Sequence, residues 1–140
     1  MKKFYLLLVC MLVTFVIDIQ AQTTNFGTNS GTSGAFSSYF GINAGKISTA
    51  NRNTFIGHHS GFDNTTGIRN TFLGAFSGRF NTTGQFNLFL GALAGTNNTT
   101  ASNNSFVGTY SGLKTTTGKN NSFLGYSSGC LLYTSPSPRD

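Results

Sequence analysis

The sequence predicts an all-β fold: a parallel β-solenoid, or β-roll, of about six to seven short coils. Three observations predict it. First, a 17-residue unit recurs as NTFIGHHSGFDNTTGIR from Asn53, NTFLGAFSGRFNTTGQF from Asn70, NLFLGALAGTNNTTASN from Asn87 and NSFVGTYSGLKTTTGKN from Asn104. A shortened fifth copy, NSFLGYSSG, starts at Asn121. Second, a unit this short buries no core alone, so it must stack on its neighbours. Third, two glycines four apart, set among β-branched and aromatic residues, oppose a helix and favour short strands.

Residues 1–21 are expected to be a secretory signal peptide. Lys2 and Lys3 precede an apolar stretch from Phe4 to Ile17, and Ala21 offers a cleavage point. The apolar run is about 14 residues, short of the roughly 20 that span a bilayer, and Asp18 ends it. Cys10 follows Leu-Leu-Leu-Val, not the small residues of a lipoprotein signal. The mature chain is therefore expected to be secreted or on the outer surface of a Gram-negative-type bacterium, with no transmembrane segment.

The repeat domain is expected over residues 22–129. It opens with looser copies at Asn25–Gly31 and Ser37–Arg52, the latter with Gly41 and Gly45 in the glycine slots. Terminal repeats are commonly irregular because they cap the stack.

Numbering from the first Asn gives each position a physical role. Position 1 is Asn53, Asn70, Asn87, Asn104 and Asn121; position 3 is Phe55, Phe72, Phe89, Phe106 and Phe123. Position 4 is Ile56, Leu73, Leu90, Val107 and Leu124. Position 5 is Gly57, Gly74, Gly91, Gly108 and Gly125; position 9 is Gly61, Gly78, Gly95, Gly112 and Gly129. Position 8 is Ser or Ala. A strand of about five residues is expected at the start of each unit. The Asn-Thr-Thr-Gly segment reads as a turn whose glycine supplies positive φ. A second short strand is expected at positions 16 and 17.

Stacked coils place identical residues roughly 4.8 Å apart. The Phe ladder should fill the interior and the Asn ladder should bond amide to amide. The position 5 glycines should let two thin layers approach. Positions 3 and 4 face opposite ways on a strand, yet both are apolar. Such strands are usually buried on both faces. Either a homo-oligomer, expected to be a trimer, covers the second ladder, or a wider coil buries both ladders internally.

Cys130–Asp140, CLLYTSPSPRD, breaks the repeat. All eleven residues match the translation of a transposon-type sequencing adapter. A non-native tail is expected there, with the natural protein continuing past Gly129.

Little chemistry is expected. Residues 22–129 hold no cysteine, and Lys46, Arg52, Arg69, Arg79, Lys114 and Lys119 face one acid, Asp63. A pair of catalytic carboxylates is excluded, as is a thiolate metal site. The cations are too scattered for a nucleic-acid stripe. His58 and His59, adjacent on a strand, should point apart and make a poor chelate. No enzyme activity, cofactor or metal is expected.

The Asn-Ser-Phe-Leu-Gly-x-x-Ser-Gly pattern, clearest at Asn104–Gly112 and Asn121–Gly129, resembles the head repeats of YadA-type trimeric autotransporter adhesins. The unit is closer still to the Asn-Thr-Phe-x-Gly-x-x-Ala-Gly-x-x-Asn-Thr-Thr-Gly repeats of secreted bacterial proteins. Those often end in a tail-fibre-like intramolecular chaperone. The resemblance spans about residues 25–129 and implies a left-handed β-roll, three chains side by side. It implies an adhesive or structural fibre segment whose surface meets a glycan or a host or matrix protein.

Other readings are distinguishable. Thr65, Thr82, Thr99 and Thr116, with Thr66, Thr83, Thr100 and Thr117, form two hydroxyl lines of the kind that order water in ice-binding solenoids. A carbohydrate-binding solenoid, or an inert spacer for a missing C-terminal chaperone or autoprocessing domain, would share the same repeat. The triplets at Asn64, Asn81 and Asn98 match a glycosylation acceptor, though the turn explains them better. Disorder would not hold five Phe residues 17 apart.

Overall fold

The computed structural model describes residues 23–130 except Asn29, Thr32 and Ser33. The expected signal peptide lies outside the described residues, as does the expected tail beyond Cys130.

Seven strands form one parallel sheet in chain order: β1 (Thr23–Phe26), β2 (Ser37–Phe40), β3 (Thr54–Ile56), β4 (Thr71–Leu73), β5 (Leu88–Leu90), β6 (Ser105–Val107) and β7 (Ser122–Leu124). The register is like on like: Phe55 pairs with Phe72, Phe72 with Phe89, Phe89 with Phe106 and Phe106 with Phe123. The chain is a β-solenoid, as the repeat predicts, with one strand per coil.

Each strand of the regular repeat has three residues rather than five. The position 5 glycine stops it. Gly57, Gly74, Gly91 and Gly108 hold φ of 128° to 134°, outside the conformations other residues favour. The expected second strand at positions 16 and 17 does not form. Position 17 takes the left-handed conformation, with φ of 56° at Arg69 and Phe86 and 61° at Asn103. Left-handed backbone cannot continue a strand. Position 7 does the same at His59, Phe76, Leu93 and Tyr110. These two positions are corners of the coil.

Outside the strands the backbone still bonds from coil to coil. Gly57 N donates to Phe40 O (2.8 Å), and His59 N to Ile42 O (3.0 Å). Gly61 N donates to Ser77 O and Asp63 N to Arg79 O, each at 2.9 Å, and Thr65 N to Thr82 O at 3.0 Å. These bonds join successive coils outside the strands, so peptide groups there find partners without a second regular strand.

The interior is a column of rings. Tyr39, Phe55, Phe72, Phe89 and Phe106 are fully buried. From Phe55 to Phe123, successive centroids lie 4.8–4.9 Å apart with planes within 12°. Strand spacing sets that distance, and it falls within the range of favourable stacked rings.

Polar ladders flank the rings. Asn53 Oδ1 accepts from Asn70 N (2.9 Å), Asn70 Oδ1 from Asn87 N (3.0 Å) and Asn87 Oδ1 from Asn104 N (3.0 Å). Each Nδ2 crosses to a position 15 carbonyl, as from Asn70 to Gly84 O at 2.8 Å. Amide-to-amide contact also occurs, from Asn87 Nδ2 to Asn70 Oδ1 at 3.2 Å. The shorter side-chain to main-chain bonds tie each Asn to the entry point of the next coil's strand. Ser60 and Ser77, buried at position 8, donate across the coil to the Phe72 and Phe89 carbonyls at 3.1 Å.

Two glycine roles differ from expectation. Close approach across the coil belongs to position 9: a Cβ on Gly61 would sit 2.6 Å from the Phe55 ring. At position 5 the crowding runs along the stack, where a Cβ on Gly57 would sit 2.6 Å from Gly74 O. Gly67, in the Asn-Thr-Thr-Gly segment, is not among the residues of positive φ. It is crowded instead, since a Cβ there would meet the Gly84 carbonyl and Asn64 Oδ1.

Candidate functional site

The Asn ladder at position 1 and the Phe ladder at position 3 are internal scaffold. Asn53, Asn70, Asn87 and Asn104 are buried, as are Phe55, Phe72, Phe89 and Phe106. Only at the last coil do Asn121 and Phe123 become partly accessible. A partner therefore meets positions 2, 4, 6, 7, 10, 11, 14, 16 and 17, most of which vary between repeats, although position 4 stays aliphatic and position 14 is Thr throughout.

The outer face of the sheet carries the second apolar ladder. Phe26, Phe40, Ile56, Leu73, Leu90 and Leu124 are exposed at position 4, from 37% at Ile56 and Leu90 to 82% at Leu124. Phe55 and its equivalents in the same strands face inward, so the two ladders lie on opposite faces of a single thin coil. The wider coil that would bury both does not form. Ala75 and Ala92 at position 6 flank the stripe. Seven rungs at strand spacing make it roughly 30 Å tall. A contiguous exposed apolar surface of this kind marks an interaction site.

A second feature lies at the corner formed by positions 7 and 10. The His58 and His59 rings do not point apart; their centroids are 4.1 Å from each other. Alternation fails here because Gly57 has left the strand and His59 is left-handed, which turns both rings to one side. His59 stacks on Phe62 at 4.7 Å and packs edge-on against Phe76 at 5.5 Å. Lys46 lies over Phe62 at 5.4 Å, and Arg79 lies over Phe76 and Phe80 at 5.5 and 4.8 Å. Asn43 Nδ2 donates to His59 Nε2 at 2.8 Å. No group of three or more His, Cys, Asp or Glu that could hold a metal gathers among the described residues.

Burial holds the His59 imidazole below its ordinary pKa, helped by the nearby charges of His58, Arg79 and Lys46 and opposed by Asp63. The Asn43 contact agrees in direction, because Nε2 accepts only while unprotonated. A depressed folded-state value means that the unfolded chain takes up the proton first as pH falls. Stability should therefore decline as pH drops through about 6.5 and level off below the folded value. Thermal melts between pH 8 and 5 check this. In His59→Asn, whose side chain tolerates the left-handed backbone, that part of the pH slope should vanish. An unchanged slope would assign it to another group.

The threonine lines divide. Thr65, Thr82 and Thr99 spend their hydroxyls on the next coil's carbonyl, at 3.0–3.2 Å. Thr66, Thr83, Thr100 and Thr117 are exposed. One outward file remains, not a paired array. Asn64, Asn81 and Asn98 form a second internal polar ladder, fully buried, with Asn81 Nδ2 donating to Asn64 Oδ1 at 2.7 Å. In the folded chain these amides are closed to a glycan. The sequence showed the turn, closed by a bond from Asn64 Nδ2 to Gly67 O at 2.9 Å, but not the ladder. Their recurrence at the repeat period was the available signal.

Comparison with protein-family models, curated proteins and solved structures finds no match.

Proposed function

We propose that the chain is an exported, non-enzymatic structural and adhesive segment of a bacterial cell-surface or secreted fibre, assembled as a homotrimer through the position 4 ladder. One observation carries the reading: Ile56, Leu73, Leu90 and Leu124 are exposed on the outer face of the sheet, with Val107 half-buried in the same file. An apolar residue stands on the outward face of each strand, outside the column of buried rings. A parallel partner built on the same 17-residue period can match it rung for rung. The interior supports a scaffold role, since its volume is filled by rings and amides. Export and adhesion rest on the leader-like residues 1–21 and on the repeat resemblance. The single outward threonine file favours ice binding less.

Light scattering on the purified chain tests the assembly. A mass near three chains is expected, falling toward one chain in Leu73→Ser/Leu90→Ser while far-ultraviolet circular dichroism is retained. A well-folded monomer at all concentrations would overturn the trimer and leave the ladder to another partner.

A further inference from the structure

A different column of side chains runs along the position 17 corner. Phe36, Arg52, Arg69 and Phe86 occupy it on four successive coils, all left-handed, with φ of 56° to 60°. Their backbones are bonded in series: Arg52 N donates to Ala35 O (3.0 Å), Arg69 N to Asn51 O (3.3 Å) and Phe86 N to Ile68 O (3.1 Å). The order is ring, cation, cation, ring. Arg52 lies over Phe36 at 5.9 Å and Arg69 over Phe86 at 5.1 Å. All four side chains are exposed, the phenylalanines by about half.

Two things about this column need a cause. Two like-charged arginines occupy adjacent rungs, and each guanidinium leans away from the other onto a ring. The only acid of the repeat region, Asp63, belongs to position 11 and not to this corner. Two bulky phenylalanines also hold a left-handed backbone that disfavours them. Asn103 and Asn120 continue the same column with a residue suited to that conformation. Local stability alone would favour Asn at all six rungs.

We propose that Phe36, Arg52, Arg69 and Phe86 form a binding strip for a single acidic polysaccharide chain of uronic-acid type, lying parallel to the solenoid axis. The planar guanidinium fork pairs with carboxylate, and each Phe–Arg contact orients it. The rings at either end offer flat apolar faces to the C–H face of a pyranose. A polyuronate repeats its carboxylates along one chain, as the two arginines repeat along the stack. Nucleic acid fits less well, because strong binding there draws on many phosphate contacts and the strip has two cations. The strip deepens the adhesive reading by naming a ligand class. It rests on the exposed corner and not on the trimer, although three parallel copies would multiply its avidity.

Affinity electrophoresis of the purified chain through gels containing polygalacturonate tests it, with a neutral glucan gel as reference. Retardation specific to polygalacturonate is expected. Arg52→Asn/Arg69→Asn should weaken it about tenfold. Lys114→Asn/Lys119→Asn, with the same loss of charge, should leave it within about twofold. Phe86→Asn isolates the ring. It should melt no lower than the parent, because Asn suits the left-handed backbone, yet bind more weakly. Equal loss in the arginine and lysine pairs would reduce the effect to net charge and overturn the strip. No retardation at low salt, or tighter binding to a single-stranded oligodeoxynucleotide, would also overturn it. A monomer in light scattering with retardation intact would remove the trimer and leave the strip standing.

Discussion

Phe89→Ala is expected to destabilise the chain by about 3–5 kcal/mol, enough to remove much of the stability of an ordinary domain. The ring is fully buried and stacked on both sides, 4.8 Å from Phe72 and 4.9 Å from Phe106. Its loss opens a void in a column one side chain wide, with no second layer of core to collapse into it. The void also splits the ring stack into two halves. Equilibrium denaturation followed by circular dichroism measures the loss. Leu90→Ala is the matched control one residue along the same strand. Its side chain faces outward, so in the monomeric chain it should cost less than about 1 kcal/mol. If the two substitutions cost the same in dilute, unassociated protein, the inward and outward assignment of the ladders is wrong.

Gly91→Ala should be comparably severe, by more than about 3 kcal/mol, although it adds only a methyl group. Gly91 holds φ of 134°, and a Cβ there would lie 2.6 Å from the Gly108 carbonyl. The obstacle is backbone of the next coil, which is itself bonded in the stack, so it cannot move aside alone. The cost should be local in origin but cooperative in effect, because each coil contacts only its neighbours. Thermal melting with hydrogen exchange distinguishes the cases. Lost protection centred on β5 and β6 is expected, and a fully retained melting temperature would mean that the position 5 geometry is misread.

The fold was legible in the sequence to an unusual depth, and for a simple reason. A strict period forces equivalent residues into equivalent places, so register, parallel order and the inward Phe column follow once stacking is accepted. What failed were the corners. The expected strand at positions 16 and 17 is absent because Arg69 and Phe86 are left-handed, and neither residue type announces that conformation. The same misreading sent His58 and His59 to opposite faces, when they lie side by side. The Asn64 ladder was hidden behind a correct local explanation, since its side chain makes the turn contact as well as the inter-coil one.

The candidate surface was less legible than the scaffold. Repetition marks what a solenoid needs internally; binding sites fall where the repeat varies. The run Phe36, Arg52, Arg69, Phe86 at position 17 is readable in the sequence as four unremarkable residues spaced one coil apart. Only their shared left-handed backbone and the contacts of Arg52 with Phe36 and Arg69 with Phe86 make them one surface.

The sequence by itself determined the period, the in-register parallel stack and the identity of the internal ladders. Those depend on which residue recurs every 17 positions, and stacking converts recurrence directly into contact. Only the tertiary structure decided the thickness of the coil, and with it which ladder is inside. Strand alternation allows Phe89 and Leu90 to face opposite ways whether the coil is thin or wide. The choice is made where the chain closes, at the left-handed corners and at the position 9 glycines packed against the rings. That closure leaves room for one column of rings and puts the aliphatic ladder outside.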